Sequence, residues 1–202
     1  MVFVAKTYEQ LSKFFDVAFL VKFVILFIGL YYFDLGYLGL TNNGGGLYIP
    51  FLAKYGDYTN FIIKGILNLS NIWSHLFGLD TYIQPGNILR VLNGSAVWMA
   101  RPCIGLVMVF FWMSFIISHQ TDLRKKLTWC VFGAAIIFLI NSMRVTLILL
   151  AHHNNWQEIE HMDHHAFFNY ACYAVILVMV LLYNRTTNKI KPKLKTQMIK
   201  SG

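Results

Sequence analysis

The stretch Leu127–Ala151, LTWCVFGAAIIFLINSMRVTLILLA, holds one ionised side chain, Arg144. A hydrocarbon core of ~30 Å is crossed by a helix of ~20 mostly apolar residues, so this segment reads as a membrane span with a guanidinium inside it. That charge costs ~2.5–3.5 kcal/mol even on lenient insertion scales, and it therefore faces a bundle interior or a wet cavity. Asn141, three residues earlier, shares its helix face and can orient it by a hydrogen bond. The competing reading is a structural arginine reaching toward the outer headgroups.

The rest of the chain agrees with a membrane setting. Of 202 residues, 57% are hydrophobic, 16% aromatic and only 13% charged, where soluble domains carry ~25% charged residues. A disordered chain is excluded, and an ordinary soluble globule is disfavoured. So is a nucleic-acid-binding domain, despite the net charge of +8. The expectation is an all-α integral membrane protein, a single domain over 1–202, with about four spans near 17–33, 97–118, 127–151 and 165–183. Lys22 must snorkel from the first of these. No small-residue cleavage site follows that first stretch, which reads as a retained span.

The long connection 34–96 contains an amphipathic segment, 60–77. Ile62, Ile66, Leu69, Trp73 and Leu76 recur at helical spacing, and Asn60, Lys64, Asn68, Asn71 and His75 follow the same rhythm on another face. This predicts a helix lying on the outer interface or covering other helices; a fifth, polar-faced span is the alternative.

Charge sets the orientation. Lys6 and Lys13, then Arg124, Lys125 and Lys126, then Arg185 and the lysines of the tail 184–202 fall on one side, whereas the connection after Ala151 carries Glu158, Glu160 and Asp163. The positive-inside rule makes both termini cytoplasmic, which requires an even number of spans. The basic tail is an orientation signal and a lipid-surface anchor.

That topology brings three reactive side chains from three helices to a similar depth under the outer surface: Cys103, Arg144 and His165. Pro102 suits a helix's first turn, which would put Cys103 at a positive dipole end beside Arg101, where a thiolate is favoured. Gly105 would allow a peptide to approach closely. A small buried hydrophobe is the plain alternative for Cys103, and it suits Cys130 and Cys172 better. The odd cysteine count offers no disulfide framework. His152, His153, His161, His164 and His165 crowd one stretch with Asp163, so a metal site competes.

Together, Arg101-Pro-Cys103-Ile-Gly105, Asn141-x-x-Arg144 and Asp163-His-His165 before an apolar run resemble the exosortase/archaeosortase family of multi-spanning, transpeptidase-like membrane proteins. The resemblance covers roughly residues 95–183, and the short chain is similar to compact bacterial versions of the Bacteroidetes kind. It implies Cys103, Arg144 and His165 as the catalytic set, with His164 the alternative histidine and Asn141, Arg101 and Gly105 in support. Ile104 departs from the family's usual Ser or Thr.

The resemblance further implies exported substrate proteins bearing a C-terminal motif, one transmembrane helix and a basic cluster. Their tail would be cleaved and the protein passed to an acceptor at the periplasmic face of the inner membrane, without metal or organic cofactor and without nucleic acid. Two other classes stay in view: a non-enzymatic membrane assembly protein and a histidine-rich metal-binding membrane protein.

Overall fold

The computed structural model describes residues 17–42, 44, 47–156 and 164–188. In chain order the elements are α1 (Val17–Thr41), α2 (Pro50–Tyr55), α3 (Tyr58–Leu76), strands β1 (Thr81–Gln84), β2 (Ile88–Val91) and β3 (Ala96–Trp98), a 3-10 turn (Arg101–Ile104), α4 (Leu106–Ser118), α5 (Leu123–His153) and α6 (His164–Asn188). The protein is a helical membrane protein with one small sheet. Among the described residues, three helical segments are long and apolar enough to cross a bilayer: Val17–Thr41, Leu123–His153 and Asn169–Thr187. The basic N-terminus and the tail beyond 188 lie outside the described residues, as do Glu158, Glu160, His161 and Asp163.

The chain divides into two compact units. The first comprises residues 1–57 and 106–130. Its α1 and α4 run antiparallel through an aromatic seam at four-residue spacing. Phe19 stands edge-on to Phe115 at 5.8 Å, and Phe23 and Phe27 stand edge-on to Phe111 at 5.3 and 6.4 Å. Rings four apart share a helix face, and edge-to-face pairs add to simple burial. The first span does not stop at Phe33 but continues to Thr41, because Asp34 is buried rather than marking an exit to water. At the end of α4, the Lys126 ammonium donates to the Ile117 carbonyl at 2.8 Å, a cation on an otherwise unfilled helix-end acceptor. The buried Trp112 indole donates to the Trp129 carbonyl at 2.8 Å.

The segment read as a span from residue 97 is built differently. Residues 96–98 form a strand, 101–104 a 3-10 turn, and only Leu106–Ser118 is α-helix. The break comes from Gly105, whose φ of 79° is left-handed and interrupts a right-handed helix. Cys103 therefore sits in a separate turn ahead of α4, not in that helix's first turn.

The second unit comprises residues 58–105 and 131–202. The C-terminal half of α5 is its centre: Asn141, Ser142, Arg144, Val145, Thr146, Ile148, Leu149 and Ala151 are all buried. Helix α3 packs on it through small polar residues. Ser70 Oγ donates to the Ser142 carbonyl at 2.9 Å, Thr146 Oγ1 donates to the Ser70 carbonyl at 3.0 Å, and Trp73 Nε1 donates to Ser142 Oγ at 3.1 Å. Gly65 lets the helices close up, since a Cβ there would meet the Phe138 ring at 3.1 Å. Small residues and interhelical Ser/Thr bonds are how helices associate where apolar burial gives no net drive.

The buried residues of α3 are Ile63, Ile66, Leu67, Ser70 and Ser74. Its inward face is thus shifted from the expected apolar stripe, and Leu76 at that stripe's end is exposed.

A Schellman ending at Gly78, with Leu79 N–H on the Ser74 carbonyl and Gly78 N–H on the His75 carbonyl, turns the chain from α3 into the antiparallel sheet β1-β2-β3. Leu89 and Val91 of β2 point into the core. The β2–β3 turn is anchored on α5: a Cβ on Gly94 would meet the His153 ring at 3.0 Å.

Candidate active site

The 3-10 turn is a sequence-encoded device. Pro102 falls in its first positions, where a missing N–H costs nothing. Cys103 N–H closes the turn on the Ala100 carbonyl at 3.0 Å. Gly105 ends it in the left-handed region, which glycine adopts without steric cost.

The turn is pinned to α5 by Asn141. Its Nδ2 donates to the Cys103 carbonyl at 2.6 Å, and its Oδ1 accepts from Arg144 Nη1 at 3.4 Å. One carboxamide thus links the main chain of Cys103 to the guanidinium. Asn141 and Arg144 are only 3% and 5% exposed. Gly105 backs the carboxamide, with its missing Cβ 3.6 Å from Asn141 Cγ. Cys103 itself is partly accessible, whereas Cys130 and Cys172 are buried.

Arg144 lies on α5 before its end at His153, roughly 13 Å along the axis at ~1.5 Å per residue. The buried stripe of α6 is Cys172, Ile176, Met179 and Tyr183. His164 and His165 begin α6, and their side chains lie outside the described residues. Arg101 is half-buried in the turn itself. Among the described residues, no group of three or more His, Cys, Asp and Glu side chains could hold a metal ion.

Sequence reasoning missed the sheet. The signals were present. Pro85-Gly86-Asn87 and Asn93-Gly94-Ser95 punctuate short β-prone runs.

These features define a multi-pass membrane protein in which an amide and a buried arginine on the central helix of one unit hold a cysteine-bearing turn. Residues 10–182 match the transmembrane exosortase family, and the chain belongs to that family, one of membrane sorting enzymes. No curated protein and no solved structure matches the chain.

Proposed function

We propose that the protein is a cysteine-dependent transpeptidase or protease-like sorting enzyme. It cleaves the C-terminal sorting tail of exported proteins and transfers them to an acceptor. The observation that carries this reading is the Asn141 bridge between the Cys103 carbonyl and the Arg144 guanidinium. It couples a partly accessible thiol-bearing turn to a buried cation.

In this mechanism His165 takes the proton of Cys103, and the thiolate attacks the scissile carbonyl carbon. Arg144 stabilises the negative charge that develops on the carbonyl oxygen. The C–N bond breaks, His165 returns the proton to the leaving amine, and a thioester remains on Cys103. An acceptor amine or other nucleophile attacks that thioester and gives its proton to His165; the C–S bond breaks, and His165 returns the proton to the departing thiolate. The Cys103 N–H is already committed to Ala100, which leaves the guanidinium as the principal oxyanion donor.

Helix periodicity favours His165 over His164. Position 165 stands seven residues, two helical turns, before Cys172, which stands seven before Met179. Position 164 falls about a quarter-turn away.

The setting is the bacterial inner membrane, with both termini cytoplasmic and the site facing the periplasm. The substrate's own transmembrane helix and basic cluster hold its motif at that face, within membrane lipid.

The test uses an epitope-tagged exported protein of the same host that ends in a short motif, one apolar helix and a basic cluster. Tail removal is followed by immunoblot in cells carrying the wild type, Cys103→Ala or Cys103→Ser. Processing should stop in both variants; tail removal that persists in Cys103→Ala would end the thiol mechanism.

A further inference from the structure

Strand β3 ends two residues before the turn that carries Cys103. One of its edges is taken by β2. Val91 N–H bonds the Ser95 carbonyl and Met99 N–H bonds the Asn87 carbonyl, both at 2.9 Å, with Leu89 opposite Val97 between them. Bonded and non-bonded pairs alternate along an antiparallel ladder. Ala96 and Trp98, opposite Arg90 and Ile88, therefore turn their N–H and C=O groups to the other edge.

Among the described residues no strand lies along that edge, since β3 is the last in the sheet order. Exposed edges are usually blunted by charge, proline or a bulge; Ala96-Val97-Trp98 has no charged residue and no proline. The Trp98 side chain is 67% exposed.

We propose that this edge is the docking strand for the substrate's recognition motif. The motif adds to β3 as one more strand and bonds the main chain of Ala96 and Trp98. The inference rests on the thiol reading above and adds how the peptide is held. An extended peptide is the occupant the edge fits. Its backbone groups are free to pair where a helix's are not, and it presents its carbonyls along its length. At about 3.3 Å per residue, a docked segment of a few residues runs from Trp98 toward the Cys103 turn. Main-chain pairing supplies affinity, and alternate motif side chains facing Trp98 supply selectivity.

Two measurements test the docking separately from the thiol. Ala96→Pro and Trp98→Pro each delete an outward N–H while sparing the ladder to β2, and both should slow tail removal of the tagged substrate about five- to tenfold, the order expected for one lost hydrogen bond. Secondly, Trp98→Cys in a Cys103→Ala chain is cross-linked in membranes to substrates carrying single cysteines stepped through the motif. Cross-link yield should alternate with a step of two, because only every second side chain shares the Trp98 face.

Wild-type processing in both proline variants, with yields that are uniform or rise every three to four positions, would overturn strand docking while leaving the thiol mechanism intact. A cross-linked homodimer formed in preference to the substrate adduct would assign the edge to a second copy and overturn it equally. Processing that survives Cys103→Ala is read in a different variant and strikes only the thiol reading.

Discussion

The side-chain amide of Asn141 donates a 2.6 Å hydrogen bond to the main-chain carbonyl of Cys103. The contact joins residues far apart in sequence, and it holds the turn by its backbone rather than by a side chain. A carboxamide suits this position because it donates to Cys103 with one atom and accepts from Arg144 with the other.

Asn141→Ala removes both bonds and leaves a carbonyl and a buried guanidinium short of a partner. Tail removal should fall about tenfold or more, the order expected when buried polar groups lose a hydrogen bond. Asn141→Asp cannot donate when ionised and should fail comparably. Immunoblots of the tagged substrate, normalised to membrane-inserted enzyme, give the measurement.

Arg144→Lys keeps the charge and loses the planar fork. A lysine cannot reproduce the planar guanidinium that contacts Asn141 and that, in the proposed mechanism, stabilises the oxyanion. Processing should drop roughly 100-fold, as for loss of an oxyanion donor, while the protein still inserts. Arg144→Lys at wild-type rate would remove the guanidinium from the chemistry.

His165→Ala should abolish tail removal, and His164→Ala should leave most of it, because position 165 keeps the seven-residue spacing of Cys172 and Met179 along α6. The reverse ranking would move the base to the neighbouring histidine.

Gly105→Ala places a Cβ on a residue at φ 79°. The left-handed conformation costs an L-residue ~1–2 kcal/mol, so the melting temperature in detergent should fall by a few degrees. Gly105→Asn should be milder, since Asn visits this region more readily.

Thr146→Val deletes the bond to the Ser70 carbonyl at nearly constant volume. Interhelical bonds of this kind average ~0.6 kcal/mol in membrane bundles. Reversible unfolding in mixed micelles should register a small loss of stability, with tail removal retained.

The membrane character and the linkage of Asn141 to Arg144 were legible because both rest on local rules: an apolar run of bilayer length, and side chains three apart on one helix. The family resemblance was legible for the same reason, from short motifs in order. The start of the helix carrying Cys103 was not. Pro102 marks a first turn equally well for a 3-10 turn and an α-helix, and Gly105, read as room for a peptide, is in fact the left-handed stop between them. The inward face of α3 was misassigned because hydropathy selects apolar side chains. The face that packs uses Ser70 and Ser74, whose value lies in close approach and hydrogen bonding to α5. The sheet escaped notice because three strands of three or four residues, between long apolar runs, carry little periodic signal beside two Gly-centred turns.

One contact bears on how the protein can be labelled. The tip of a β-hairpin is ordinarily a tolerant place for an inserted tag, but a Cβ on Gly94 would already meet the imidazole of His153 at 3.0 Å. A tag spliced into that tip should press the turn against α5 and loosen the sheet. The opposite tip, Pro85–Asn87, has open space around Gly86, and a fluorophore or epitope belongs there.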